Sequence, residues 1–252
     1  MTEAPIFRWL VIAVFALGVL TWVSLVFVAA PYGRHSRPGW GPAIPSRLGW
    51  IVMESPAVIF FAYVYVQGDH RAGLAPLALA GFWQFHYIHR TFIFPFLMRI
   101  SGRKMVLVIP LLALAFNFIN AWTNARWISH LGNYDDTWLR DPRFVSGAAL
   151  FLAGWWINVR SDSLLFRLRG PGETGYRIPS GGLHERVASP NYFGEIIEWI
   201  GFALMSWSPA ALAFAFYTVA NLAPRARAHH VWYRKRFPDY PPGRKALIPY
   251  IW

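Results

Sequence analysis

Glu54 and the run His86-Tyr87-Ile88-His89-Arg90-Thr91 place a carboxyl, a phenol and a guanidinium inside apolar stretches. At membrane depth such groups are costly unless they face a partner or a wet cavity, so each is a candidate for chemistry. A carboxyl group in apolar surroundings can keep its proton and donate a hydrogen bond, and beside a tyrosine hydroxyl it can polarise a carbonyl. Further along, Asn158, Asp162, Leu165 and Arg169 fall at i, i+4, i+7 and i+11, one helical stripe. Asn191, Glu195, Glu198 and Phe202 repeat that spacing, and Asn221, Arg225, His229 and Tyr233 advance by fours. Beside these stripes lie Arg160, Arg167, Arg169, Arg177 and Arg186, and in the tail Arg225, Arg227, Arg234, Lys235 and Arg236. Guanidinium groups grip phosphate oxygens in pairs, and acids and amides recognise sugar hydroxyls and a base, so the mixture suits a phosphorylated or nucleotide ligand. Interhelical hydrogen bonds and attraction to anionic lipid are the plainer explanations, the second fitting part of the tail. Three stripes beside the same basic loops favour a polar cavity. Ser189-Pro190-Asn191 reads as a helix start, with Ser189 as N-cap and Pro190 in the first turn, leaving free amide groups toward the same region.

Other chemistries fit less well. Gly170-Pro171-Gly172-Glu173-Thr174-Gly175 matches GxGxxG by letter, but it follows an apolar helix and leads into a turn-rich loop instead of joining a strand to a helix. Only His86-x-x-His89 and His229-His230 are paired, while His70 and His130 fall on the opposite side of the membrane, which argues against a shared metal site. Ser/His/Asp catalysis lacks a nucleophile-elbow sequence. With no cysteine, thiolate and disulfide chemistry are absent.

The elements that must position these residues are membrane helices. Of 252 residues, 56% are hydrophobic and only 14% charged, against about 25% charged in ordinary soluble domains. Seven apolar runs read as spans: Phe7 to Ala30, Leu48 to Val66, Leu74 to Ile93, Met105 to Ile128, Phe144 to Phe166, Tyr192 to Trp207 and Pro209 to Ala223. The last two meet in a tight hairpin at Ser206-Trp207-Ser208-Pro209. With this layout the side holding the N-terminus carries five bases and five acids, and the other side nineteen bases and seven acids, so the whole +12 excess lies on one face. Positive charge is retained in the cytoplasm. The expectation is therefore an all-α, polytopic bundle, one membrane domain over residues 1–252, with the N-terminus outside and the C-terminus cytoplasmic. Placed between apolar runs, the bases suit topology better than nucleic acid, and no obligate protein partner is evident. Arg outnumbers Lys 21 to 3, pointing to a GC-rich, bacterial genome.

The chain resembles the steroid 5-alpha-reductases, membrane enzymes that reduce the carbon–carbon double bond of 3-oxo-Δ4 steroids with NADPH. The resemblance rests on Glu54-Ser55-Pro56, His86 to Phe92, Asn158-Val159-Arg160-Ser161-Asp162, Pro171-Gly172-Glu173, Tyr176-Arg177-Ile178-Pro179 and Gly181-Gly182-Leu183. It continues through Asn191 to Trp199, Asp239-Tyr240-Pro241 and Arg244 to Pro249. The family departs from this chain at Arg160, where relatives carry histidine, and at His184-Glu185-Arg186, which replaces a more neutral run.

What the resemblance implies is seven helices, a cytoplasmic NADPH pocket built by helices 5–7 with their loops and tail (about 144–252), and a steroid cavity among helices 1–4 (about 1–128), entered from the bilayer. Glu54 and Tyr87 would be the catalytic pair on the steroid 3-ketone. Asn158, Asp162, Arg169, Tyr176, Arg177, Asn191, Glu195, His229 and Tyr233 would hold the cofactor, with Arg90 and Arg103 beside them; no metal is implied. The compartment would be a bacterial inner membrane or the endoplasmic reticulum. Rival readings are a sister ene-reductase acting on enoyl or other sterol substrates, an isoprenylcysteine-type methyltransferase sharing the Pro190-Asn191-Tyr192 helix start and Glu195, and a non-catalytic sterol-binding protein. The methyltransferase reading leaves the Arg cluster, Glu54 and Tyr87 unexplained.

Overall fold

The computed structural model describes residues 3–29, 33–35, 39–98, 102–168, 170 and 175–252. Among them the chain is helical: α1 (Glu3–Phe27), α2 (Ser46–Tyr65), α3 (Leu74–Ile88), α4 (Phe94–Leu97), α5 (Val108–Arg126), α6 (Pro142–Arg167), α7 (Pro190–Ser206) and α8 (Pro209–Arg236). A π-helical turn at His89–Ile93 joins α3 to α4, and another at Trp127–Leu131 extends α5. The all-α expectation holds apart from one short ribbon, β1 (Ala43–Pro45) antiparallel to β2 (Lys104–Val106), in which Ile44 faces Met105. Three helices are long and apolar enough to cross a bilayer, Glu3–Phe27, Ser46–Tyr65 and Val108–Leu131, and α1 leaves Trp9 and Phe27 exposed. In water that surface would be a liability; in lipid it is solvated. The chain is an all-α membrane protein.

Local rules explain several element boundaries. Pro56 inside α2 has no N–H for the Val52 carbonyl, and Ser55 Oγ donates to that carbonyl at 2.9 Å instead. The expected hairpin between the last two helices is present: Trp207 turns the chain at φ 44°, and Ser208 Oγ caps α8 by accepting from Ala210 N and Ala211 N at 3.2 and 3.3 Å. The cap expected of Ser189 is not made. Its backbone stands at the start of α7 with Pro190 in the first turn, but its hydroxyl makes no cap bond and lies 3.3 Å from His229 Nδ1. The third expected helix is also not one register, because the π turn at His89–Ile93 inserts an extra residue's rotation between Tyr87 and Phe94.

Helix packing sets the architecture. In α6 and α7, added Cβ atoms on Gly147 and Gly154 would meet the backbone at Met205 and Glu198 at 2.4 Å, and those on Gly194 and Gly201 would meet Asn158 and Phe151 at 2.5 Å. Two glycines seven residues apart on each helix let the backbones touch. These contacts run in opposite order, so α6 and α7 are antiparallel. In contrast α1 and α8 run the same way: Phe7 and Val11 cluster with Ala210 and Ala213, and Gly18 abuts Phe216. The same holds for α2 and α5, where Met53 meets Asn117 and Gly68 meets Ser129. At one end Glu3 pairs with Arg126 at 2.6 Å and Asp69 with His130 at 3.0 Å. An aromatic core ties the bundle together, with Trp83 stacked on Phe61 at 4.8 Å and edge-on to Trp199 at 5.5 Å.

Candidate active site

Glu54 sits in the middle of α2, two residues before Pro56. Asn117 of α5 holds it: the amide Nδ2 donates to the Met53 carbonyl at 2.7 Å and to Glu54 Oε2 at 3.1 Å. Tyr87 comes from the last turn of α3, its ring buried and flanked by Trp83 at 4.8 Å, His86 at 5.0 Å and Trp199 at 5.5 Å. Aromatic walls fix the ring, while its hydroxyl makes no hydrogen bond among the described residues. Glu54, Tyr87, Arg90, Asn117 and Glu195 line one cavity together with the rings of Phe116, Trp199, Phe214 and Tyr217. A carboxyl and a phenol lining one cavity of mixed polar and aromatic walls suit a carbonyl oxygen that gains charge during reaction.

Arg90 belongs to the π turn. Its guanidinium lies over Trp50 at 4.6 Å and Phe94 at 4.4 Å, and Nη2 is 3.9 Å from Glu195 Oε2. Behind Glu195 the expected stripes of α6 and α7 interlock: Asn158 Nδ2 donates to the Asn191 carbonyl at 3.0 Å and to Glu195 Oε2 at 3.4 Å, and Asn191 Nδ2 donates to Asp162 Oδ1 at 2.9 Å. The backbone contact at Gly154 and Gly194 is what brings these short side chains within reach.

The remaining candidates form an arc toward the tail. His229 bonds to Ser189 and packs against Tyr192 at 5.4 Å, and Arg103 lies over the Tyr176 ring at 5.7 Å. Tyr176 meets Trp232 edge-on at 5.0 Å. Trp232 also meets Tyr233 edge-on at 5.3 Å; Tyr233 is buried and parallel to Tyr240 at 5.4 Å, and Arg177 is exposed on the loop. Arg169 and the run Pro171-Gly172-Glu173 lie outside the described residues. Arg160 points outward over Trp156, whereas buried His184 reaches the Ser161 carbonyl with Nε2 at 3.2 Å.

The loop leading to α7 is fastened by the chain's last segment. Arg244 donates to the Pro179 carbonyl at 2.7 Å and to Glu185 Oε2 at 3.1 Å, while Glu185 Oε1 accepts from Gly181 N at 2.6 Å. The backbone bond from Gly181, with Arg244 beside it, holds the Glu185 carboxyl below its ordinary range. Ala188 N donates to the Lys245 carbonyl, and Lys245 N to that of Arg186, at 2.8 and 2.9 Å.

Two further side-chain contacts tie these helices together. His86 and Glu198 are joined by a 2.6 Å hydrogen bond, with Glu198 wholly buried; His86 lines the same cavity as Tyr87. Arg225 donates to the Tyr192 hydroxyl at 2.8 Å, tying α8 to the first turn of α7. Glu198 and Arg225 stood in the stripes without an assigned role, and Asn117 had no signal except as an amide in an apolar run.

The donor set fits a nicotinamide dinucleotide. The buried amide of Asn158, the half-buried amide of Asn191 and the carboxyl groups of Asp162 and Glu195 would suit a carboxamide and ribose hydroxyls, and Arg103 would offer positive charge to a phosphate.

The profile of the family described as 3-oxo-5-alpha-steroid 4-dehydrogenase matches residues 103–252. The chain is 41% identical over 256 residues to a steroid 5-alpha-reductase DET2 of Gossypium hirsutum, covering 100% of this chain and 99% of the relative. It is 46% identical over 222 residues to 3-oxo-5-alpha-steroid 4-dehydrogenase 1 of Macaca fascicularis, and 45% identical over 222 residues to that of Homo sapiens. These alignments cover 87% of this chain, and 84% and 85% of the relatives. Plant and mammalian relatives lend no support to the bacterial origin read from the arginine excess.

Proposed function

From the premise that the chain belongs to the steroid 5-alpha-reductase family, and so is a membrane oxidoreductase acting on carbon–carbon double bonds, we propose that it reduces the Δ4 bond of 3-oxo-Δ4 steroids using NADPH. The observation that carries this reading is that Glu54 and Tyr87, from different helices, line one cavity with Arg90 and Glu195.

Protonated Glu54 and the Tyr87 hydroxyl donate hydrogen bonds to the steroid 3-ketone oxygen. As the enone accepts a hydride at its β-carbon, negative charge gathers on that oxygen, and two pre-positioned donors stabilise it. Asn117 orients Glu54, and the walls of Trp83 and Trp199 orient Tyr87. When bound, NADPH supplies the hydride. Asn158, Asp162, Asn191 and Glu195 would hold its nicotinamide and ribose end, with Arg103, Arg169, Tyr176, Arg177, His229 and Tyr233 toward the phosphates and adenosine. A proton added at the α-carbon completes the saturated ketone.

Seven crossings with the N-terminus outside and the C-terminus cytoplasmic form part of this reading. The helix directions support it: α1 and α8 are parallel, as first and seventh spans must be, α2 and α5 are parallel as second and fourth, and α6 and α7 oppose each other. Mass spectrometry of the product from purified protein, NADPH and a panel of enones tests the function. A 5α-reduced 3-oxosteroid is expected; exclusive reduction of enoyl substrates would favour the sister reductase.

A further inference from the structure

Beyond Gly18, α1 and α8 line a second cavity of about 460 Å³, within the roughly 300–1,000 Å³ usual for ligand pockets. Trp22, Leu25 and Val26 of α1 form its apolar wall, and Val231 of α8 faces them between two bases, Arg227 and Lys235. Arg227, Val231 and Lys235 recur at four-residue spacing, so one face of α8 alternates charge and apolar surface. Among the described residues neither base has an acidic partner, and no Asp or Glu lines the cavity. A neutral steroid has no use for two cations, and no residue assigned above to the dinucleotide lines this space.

We propose that this cavity binds an anionic phospholipid, its phosphate between Arg227 and Lys235 and the start of an acyl chain along Leu25 and Val26. Two features together select this ligand. The site lies where the apolar stretch of α1 ends and α8 continues past Pro224 as a basic helix, so an occupant crosses from an apolar to a cationic wall. The two bases also lie on one face and not around a closed ring, which suits a headgroup held from one side. The site adjoins the cofactor region: His35, which also lines it, stacks on His229 at 5.6 Å. The inference rests on the reading that α1 and α8 cross the bilayer.

The test uses the full chain in nanodiscs of phosphatidylcholine with a minority of phosphatidylglycerol, followed by native mass spectrometry of retained lipid. Wild-type protein should keep phosphatidylglycerol selectively. Arg227→Gln with Lys235→Gln should retain about 10- to 30-fold less, two bases' worth of surface attraction. Ala228→Trp, which fills the cavity without changing charge, should also lose it. Arg234→Gln with Arg236→Gln, equal in charge change but outside the cavity, should behave as wild type. Equal loss in both charge pairs would show diffuse attraction, and displacement of the lipid by NADPH would assign the bases to the dinucleotide; either overturns the proposal. Tyr87→Phe, which tests catalysis, should leave lipid retention untouched, so the two readings fail separately.

Discussion

Arg90 Nη2 lies 3.9 Å from Glu195 Oε2, and this contact joins the two halves of the site. Glu195 is also reached by Asn158, while Arg90 shares its cavity with Glu54 and Tyr87. On the proposed reading the nicotinamide must lie against the steroid enone for hydride transfer, and the Arg90–Glu195 pair would stand at that meeting point. The π turn is what lets Arg90 turn toward α7 while Tyr87 keeps its place against Trp199.

Removing the Tyr87 hydroxyl deletes one donor to the developing charge. Tyr87→Phe should lower kcat about 100-fold with little change in steroid KM, followed by NADPH oxidation with a 3-oxo-Δ4 steroid. Full kcat in that variant would sink the assigned role.

On the proposed mechanism Glu54 is a donor, not a charge, and its isostere can donate too. Glu54→Gln should therefore stay within about 10-fold of wild-type kcat/KM, whereas Glu54→Leu should lose about 100-fold or more. Equal loss in both variants would mean that proton transfer, which Gln cannot perform, is the true task.

Asn191→Ala removes the bond to Asp162 and leaves a buried carboxyl without its partner. The NADPH KM should rise at least about 10-fold while the steroid KM moves little. Initial rates with each substrate varied separately decide this; a selective rise in steroid KM would contradict the placement.

Gly154 touches the α7 backbone, and Cβ there would come within 2.4 Å of Glu198 N. Gly154→Ala should cost about 1–3 kcal/mol by forcing the helices apart, and Gly154→Val more. Gly81, where added Cβ meets nothing within 4 Å, gives the control substitution in detergent melting experiments.

Because the Gly181 backbone bond and Arg244 depress Glu185, its bonds add stability in full above its ordinary pKa near 4.5, and that stability is lost as pH falls through the lower folded value. The melting-temperature gap between wild type and Glu185→Gln should be constant from about pH 6 to 8 and close as the pH falls below about 4. A gap that widens on acidification would contradict this.

The amino-acid sequence alone determined the class of the molecule and most of its polar residues of interest. Apolar runs follow from what a bilayer tolerates, and four-residue spacing groups Asn158 with Asp162 and Asn191 with Glu195, because helical periodicity is a local property. Local rules also placed the hairpin at Trp207. Tertiary structure decided which stripes meet. That Asn191 reaches Asp162 depends on backbone contact at Gly154 and Gly194, and glycine carries no pattern naming its partner. The His86–Glu198 bond spans 112 residues of sequence, and the hold of Asn117 on Glu54 spans 63. Ser189 turned from its expected cap to His229 because α8 brings that ring beside it. Periodicity says which face of a helix is polar; only packing says what that face looks at.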